Sequence, residues 1–248
     1  MGADERDVLY IIIPAYNERE NIKNVIEEWY PVIEKYDGNK RSRLVIINDG
    51  SKDDTFDILQ REGKNRSLLV PLTKKNGGHG DTVLFGYKYA LKNGADYIFQ
   101  TDSDGQTRPE EFHMFWKKRE QYKAMIGYRN HRKDGISRIL VTKILRLVVF
   151  LCFGVWVTDA NTPFRLMEAS TLKKYLKLIP DHFNLPNVVL SVIYVKFCKD
   201  EVKFIPITFR ERQGGTNSIN LKSIVRIGRR AVIDFIKIRK SLSNENKK

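Results

Sequence analysis

The sequence predicts an α/β fold: a doubly wound, mainly parallel sheet flanked by helices on both faces. Three observations predict it. Apolar residues come in continuous runs and not in alternation, helical periodicity fills the gaps between runs, and polar turn motifs close them.

The first run, Val8 to Ile13, reads as a buried strand, and Ile22, Val25, Ile26 and Trp29 then follow the i, i+3, i+4, i+7 spacing of one buried helix face. Leu44 to Ile47 and Leu68 to Leu72 read as the second and third strands. Val83, Leu84, Tyr87, Ala90 and Leu91 mark a helix after a glycine-rich turn, and Tyr97 to Gln100 is the fourth strand. Runs apolar at every position suit parallel strands covered on both sides. The second half changes character. A basic segment, Arg129 to Arg138, leads into the amphipathic and then apolar stretch Ile139 to Val157. A helix around Ala169 to Leu178, an apolar run at Val188 to Phe197 and a late strand at Val202 to Phe209 follow. A polar loop, Arg210 to Asn217, precedes a basic C-terminal helix reaching about Lys240, and the tail Ser241 to Lys248 is expected to fray.

With 248 residues, 42% hydrophobic and 30% charged, the chain suits one substantial folded domain and not a disordered one. Its net charge of +14, from 44 basic and 30 acidic residues, points to a polyanionic partner: nucleic acid, anionic lipid or phosphorylated small molecules. Cys152 and Cys198 lie in apolar stretches and read as structural thiols. Met1 to Asp7 does not read as a secretory signal, and Arg6 stands where a myristoylation pattern needs Ser or Thr. The uncharged run Leu147 to Thr158 is shorter than the roughly 20 residues of a membrane span. These features together predict a cytoplasmic protein.

In open parallel sheets ligands bind beyond the carboxyl ends of the strands. Three motifs fall there: Pro14-Ala15-Tyr16-Asn17-Glu18, Asn48-Asp49-Gly50-Ser51 and Thr101-Asp102-Ser103-Asp104-Gly105-Gln106. Asp102 and Asp104, one residue apart, form a hard-oxygen clamp for Mg²⁺ or Mn²⁺ that leaves places for substrate phosphates. Acidic turns after strands are also ordinary turn chemistry. Asp49 is placed to hydrogen-bond a nucleobase or ribose, whereas Asp53 and Asp54 read as helix caps. In Asn76-Gly77-Gly78-His79-Gly80 the glycines, Gly78 among them, let the backbone approach phosphate before a helix N-terminus or simply form a plain turn, and His79 reads as a surface histidine, with a metal or phosphate neighbour as the other reading.

These three strand-end motifs, in this order and spacing, resemble the nucleotide-sugar-binding half of family 2 glycosyltransferases with the GT-A fold. Within that family the chain is most similar to polyprenyl-phosphate sugar transferases of the dolichyl-phosphate mannose synthase type. Gly127-Tyr128-Arg129, Asp159 to Arg165 and Arg210 to Ser218 have counterparts there too, so the resemblance spans roughly residues 7 to 220. It implies a catalytic domain over 1–220, with 221–248 as the basic helix and flexible tail. It implies that Pro14, Tyr16 and Glu18 line the nucleotide pocket, that Asp49 contacts the base, and that Asp102, Asp104 and Gln106 surround the metal and donor diphosphate beside Ser103. Arg129 and Arg132 are placed near phosphates, Asp159 near the acceptor as candidate base, and Arg165 and Arg212 on acceptor phosphate or leaving diphosphate. Pro163 departs from the family's usual Gly or Asp.

The expected activity is metal-dependent, inverting transfer of a sugar from a UDP- or GDP-linked donor to a polyprenyl (dolichyl or undecaprenyl) phosphate. A metal and arginines neutralise the charge that develops on the leaving diphosphate. The apolar faces and basic flanks of Ile139 to Val157 and Lys222 to Lys240 suit peripheral contact with an anionic membrane surface, and a membrane-embedded partner subunit is compatible with it. Three alternatives stand beside this reading: extension of a surface glycan through a sugar hydroxyl, nucleotidyl transfer, and polyanion binding without catalysis. Nucleic acid is not the expected partner, because the strand-end carboxylates would repel its backbone.

Overall fold

The computed structural model describes residues 7–37, 40–129, 136–210 and 232–239, with side chains of the third stretch described from Thr142 onward. Strands β1 (Leu9–Ala15), β2 (Arg43–Asn48), β3 (Leu69–Thr73) and β4 (Tyr97–Gln100) alternate with helices α1 (Ile22–Lys35), α2 (Thr55–Gly63) and α3 (His79–Lys92). Then come α4 (Phe112–Trp116), β5 (Ala124–Arg129), α5 (Ile136–Phe153), β6 (Arg165–Glu168), α6 (Ala169–Leu176), α7 (Pro186–Phe197) and β7 (Val202–Ile207). A further helix covers 232–239.

The strands form one sheet in the order β3-β2-β1-β4-β6-β5-β7. β1 lies parallel to β2 and β4, β2 to β3, and β5 to β7. β6 runs antiparallel to both of its neighbours, so Arg165 enters the sheet opposite Gln100 of β4 and Ile126 of β5. The predicted α/β class and mainly parallel sheet are therefore present.

The continuous apolar runs serve two cores at once. All seven residues of β1 are buried. Leu9, Ile11 and Ile13 join α1, α2 and α4 in one core, while Tyr10 and Ile12 join α3, α5, α6 and α7 in the other. Helix α1 buries Ile22, Val25, Ile26 and Trp29, as its spacing predicts, together with Ile33. Helix α3 approaches the sheet at Gly86, where a Cβ would come within 2.7 Å of Ile47 Cδ1.

An aromatic cluster fixes the backbone just below the strand ends. Phe99 of β4 packs edge-on against Phe112 at 4.8 Å and Phe164 at 4.7 Å, with Trp29 at 5.4 Å. Such contacts contribute about 0.5–1.5 kcal/mol each beyond burial. They clamp the last turn of β4 to the entry of β6.

β5 and β6 have no counterpart among the predicted strands. The apolar run of β5 is only Ala124 to Ile126, broken by Gly127, and β6 reads Arg-Leu-Met-Glu, without an apolar run. The helix at 232–239 buries Phe235 and Ile238 in the same core as α5 and α7, with the Phe235 ring 5.4 Å from that of Phe153. The domain boundary expected at 220 lies outside the described residues. Cys152 and Cys198 are free thiols, Cys198 buried. Among the described residues, no helix is long and apolar enough to cross a membrane.

Candidate active site

The loops leaving β1 and β2 are laced together. Asn17, at φ 55°, receives Lys52 N–H on its Oδ1 at 2.8 Å and donates its own N–H to Ser51 Oγ at 2.9 Å. Glu18 N–H donates to Thr55 Oγ1 at 2.9 Å, and Arg19 N–H to Asp53 Oδ2 at 3.2 Å. Asp53 also accepts from Thr55 at the start of α2, while Asp54, at the N-cap position, makes no side-chain capping bond. Pro14 is buried in β1, and Glu18, 7% exposed, accepts from Asn21 Nδ2 within its own turn. Of Pro14, Tyr16 and Glu18, Tyr16 stands open, at 43% exposure. Packing on the sheet takes Pro14 and Glu18 inward, beneath the place where a nucleotide pocket is expected.

The segment after β4 alternates. Thr101, Ser103, Gly105 and Thr107 are buried, while Asp102, Asp104 and Gln106 are partly open. This two-residue period sets both carboxylates on the accessible side. Asp102 Oδ1 accepts from His79 Nε2 at 2.9 Å and from Gln100 Nε2 at 3.2 Å. Asp104 Oδ1 accepts the Gln106 N–H at 3.1 Å. Among the described residues no three His, Cys, Asp or Glu side chains are grouped to hold a metal. The residues nevertheless fit Mg²⁺ or Mn²⁺, because such ions are held by one or two carboxylates plus substrate phosphates. The Gln106 side chain is turned elsewhere, donating through Nε2 to the Arg210 carbonyl at 3.2 Å.

Asp49 is almost fully buried and holds the glycine-rich loop. Its Oδ1 accepts from Lys74 Nζ at 2.7 Å and from Gly77 N–H at 2.9 Å, and its Oδ2 from Gly78 N–H at 2.8 Å. Both oxygens are engaged, so in this arrangement Asp49 anchors the loop. Gly78 allows the turn by adopting φ +88°, a conformation that L side chains rarely reach. Lys74 also pairs with Asp81 at 2.7 Å, and these carboxylates outweigh desolvation to raise its pKa. His79, at the first turn of α3, is raised likewise: desolvation works against the imidazolium, and the charges of Asp102, Asp104 and Asp49 prevail.

On the other side of the strand ends, Arg129 closes on Asp159. Arg129 Nε and Nη2 each lie 2.9 Å from a different oxygen of that carboxylate. The predicted base is thus the counter-ion of the predicted phosphate ligand. Arg165 also departs from expectation. It is 0% exposed, and its guanidinium donates to the Thr162 carbonyl at 2.6 and 3.0 Å and to the Asn187 carbonyl at 3.0 Å. Burial draws it away from any phosphate at the surface and lowers its pKa. Ser103 is buried as well. Arg210 ties the end of β7 to the acid segment: its N–H donates to Gln106 O at 2.8 Å and its guanidinium to Glu28 at 2.8 Å. Arg132 and Arg212 lie outside the described residues.

Lys74, Gln100 and Asn187 join the site without having been expected there; of these Gln100 carried a signal, as a polar residue ending an apolar strand. His79, for which a place beside metal or phosphate is one of two readings of the sequence, lies against Asp102. A cavity of about 280 Å³, lined by His113, Lys117, Phe204 and Pro206 among others, lies on the flank at α4 and β7, away from these groups.

Comparison with known proteins identifies the family. The model of the family described as glycosyl transferase family 2 matches residues 10–176. An undecaprenyl-phosphate 4-deoxy-4-formamido-L-arabinose transferase from Pseudomonas syringae is 30% identical over 62% of this chain, which spans 45% of that relative's length. A UDP-N-acetylglucosamine–dolichyl-phosphate N-acetylglucosaminyltransferase from Methanococcus voltae is 28% identical, covering 67% of this chain and 71% of its own. Glucosyl-3-phosphoglycerate synthase from Mycobacterium tuberculosis, solved with Mn²⁺ and UDP-glucose, superposes with a TM-score of 0.69 at 13% identity, covering 96% of this chain and 81% of its own. That likeness bears out the expected GT-A architecture.

Proposed function

The chain belongs to glycosyl transferase family 2, and we propose that it moves a sugar from a nucleoside diphosphate to a polyprenyl phosphate, with inversion and with a divalent cation held by Asp102 and Asp104. The observation that carries the choice of acceptor is the Arg129–Asp159 pair. A sugar hydroxyl needs a base to take its proton. Asp159, the carboxylate suited to that task, has both oxygens gripped by Arg129. A phosphate monoester, with a second pKa of about 6, arrives already ionised and needs no such base. The names of the Pseudomonas and Methanococcus relatives, undecaprenyl- and dolichyl-phosphate transferases, support the same acceptor class.

Mg²⁺ or Mn²⁺ supplies neutralisation of the leaving diphosphate. This chain's residues arrange everything around it. Asp102 and Asp104 would hold the cation beside the N-terminus of α3, whose dipole favours anions. Arg129, partly open and stacked 5.4 Å from the Phe209 ring, supplies a cation on the acceptor side. Attack from the face opposite the diphosphate is a single displacement and inverts the anomeric carbon. The UDP named for the Methanococcus relative and the Mycobacterium structure makes uridine the first base to try.

The acceptor lipid is reached at a bilayer surface, through the outer face of α5. Ile144, Leu147 and Leu151 form one exposed stripe on α5, Leu151 at 67%, and Trp156 and Ile233 are exposed too, at 58% and 56%. Lys143, Lys237 and Arg239 are exposed cations on the same two helices. Apolar side chains bordered by cations suit an anionic membrane. The deciding experiment offers UDP- and GDP-sugars with Mn²⁺ or Mg²⁺, with and without undecaprenyl phosphate, and records nucleoside diphosphate release. Release that needs both metal and lipid supports the proposal. Release stimulated by a glycan and not by the lipid phosphate overturns the acceptor.

A further inference from the structure

Beneath the acid pair runs a line of buried polar side chains. Gln100, Tyr87, Ser191 and Arg165 are 0% exposed and Asn187 is 2% exposed. Buried polar groups need partners, and these supply one another. Gln100 Nε2 donates to Asp102 Oδ1 at 3.2 Å, and Gln100 Oε1 accepts from Asn187 Nδ2 at 2.9 Å. The Tyr87 hydroxyl stands 3.4 Å from the same Oε1 and 3.3 Å from Asn187 Oδ1. The Asn187 carbonyl accepts from Arg165 Nη1 at 3.0 Å and from the Ser191 hydroxyl at 2.8 Å. Ser191 Oγ and Arg165 Nη2 also reach the Ala160 carbonyl, at 2.9 and 3.3 Å.

This chemistry fixes a direction. A carboxamide has one donor end and one acceptor end. The ionised Asp102 carboxylate can only accept, so the NH₂ of Gln100 must face Asp102, which leaves its Oε1 to accept from Asn187 Nδ2. The register of β4 against β6, with Gln100 opposite Arg165, brings the two halves of the line together. Its far end is the turn at Ala160, one residue from Asp159.

We propose that Gln100 and Asn187 are positioning residues that hold the Asp102 carboxylate in one rotamer for a divalent cation and couple it, through Arg165 and Ser191, to the Ala160 turn beside Asp159. This rests on the reading of Asp102 as a metal ligand. Residues that orient a metal ligand typically change metal affinity by about 10- to 100-fold when removed.

The test is Mn²⁺ binding at fixed UDP, followed by electron paramagnetic resonance, on wild type, Gln100→Leu, Asn187→Leu, their double variant and Tyr87→Phe. Gln100→Leu and Asn187→Leu are expected to raise the Mn²⁺ Kd by about tenfold or more. The double variant is expected to be no weaker than Gln100→Leu, because both changes act through one contact. Turnover at saturating Mn²⁺ should fall far less than Mn²⁺ affinity does. Tyr87→Phe, which removes only a hydroxyl, is expected to cost about threefold in affinity. Variants that melt earlier yet bind Mn²⁺ within twofold of wild type overturn the proposal. If the larger variants do not fold, an unchanged Kd in Tyr87→Phe overturns it. Asp102→Asn separates the two readings: wild-type affinity in that variant removes the metal role of Asp102 and this inference with it, whereas lost binding there with intact binding in the others removes this inference alone.

Discussion

Arg129 and Asp159, thirty positions apart, meet as a two-point ion pair, with each of two guanidinium nitrogens 2.9 Å from its own carboxylate oxygen. Asp159 is 5% exposed, so the pair is shielded on the carboxylate side. Removing one partner of a shielded pair leaves the other uncompensated, which costs about 3–5 kcal/mol when both are buried. Arg129→Gln, with its partly open guanidinium, is expected to lose about 2–3 kcal/mol in urea unfolding and to raise the lipid KM.

Asp159→Asn separates the acceptor classes. A lost general base typically costs about 10²–10⁴ in rate. With a lipid phosphate acceptor the expected fall in kcat is below about 10², with no new pH limb in the rate profile. A larger loss would return Asp159 to the role of base.

Chelation should abolish turnover, and Mn²⁺ should restore it. Asp104→Asn is expected to lower kcat by at least about 100-fold, the scale of losing a stabiliser of developing charge. Differential scanning fluorimetry with UDP offers a second readout: a Mn²⁺-dependent rise in Tm in wild type, absent in the variant.

The Lys74–Asp81 contact predicts a pH window. Hydrogen bonds from Lys74 and His182 overcome desolvation and hold Asp81 below the ordinary carboxylate value of 3.8. Its contribution is therefore full above that value and is lost as pH falls through the depressed one. Lys74 is raised above 10.5, so its contribution is full below 10.5 and is lost as pH rises through the elevated value. Lys74→Met should lower Tm across the plateau between these limits and weaken both limbs, as read by thermal melts from pH 3 to pH 11.

Leu147→Glu with Leu151→Glu should remove flotation with phosphatidylglycerol vesicles while moving stability by no more than about 0.5 kcal/mol, since both side chains are exposed. Phe235→Ala, on the packed face of the neighbouring helix, should instead cost about 3–5 kcal/mol.

The parallel half of the sheet was legible because β1, β2 and β4 are apolar at nearly every position, a pattern that only two-sided burial explains. The site's location followed, since Asp49, Asp102 and Asp104 each stand just past such a run. The side-chain partners were not legible. Asp49 finds its donors in Lys74, Gly77 and Gly78, and Arg165 finds its acceptors in Thr162 and Asn187. Those pairings depend on loop conformation and on helix α7, neither of which local periodicity encodes. β6 escaped notice because four residues with charged ends carry no period at all.

That reversed strand has a further effect. Every other strand delivers its C-terminal end to the site, but β6 presents its N-terminal end, so the segment 154–164 reaches the same rim from the opposite direction along the chain. The loops after β1, β2 and β4 and the segment before β6 are therefore separate stretches of sequence. If the nucleotide sugar sits on those loops, as proposed, a chimera exchanging only 154–164 with a relative is expected to transfer acceptor preference and leave donor preference as it is.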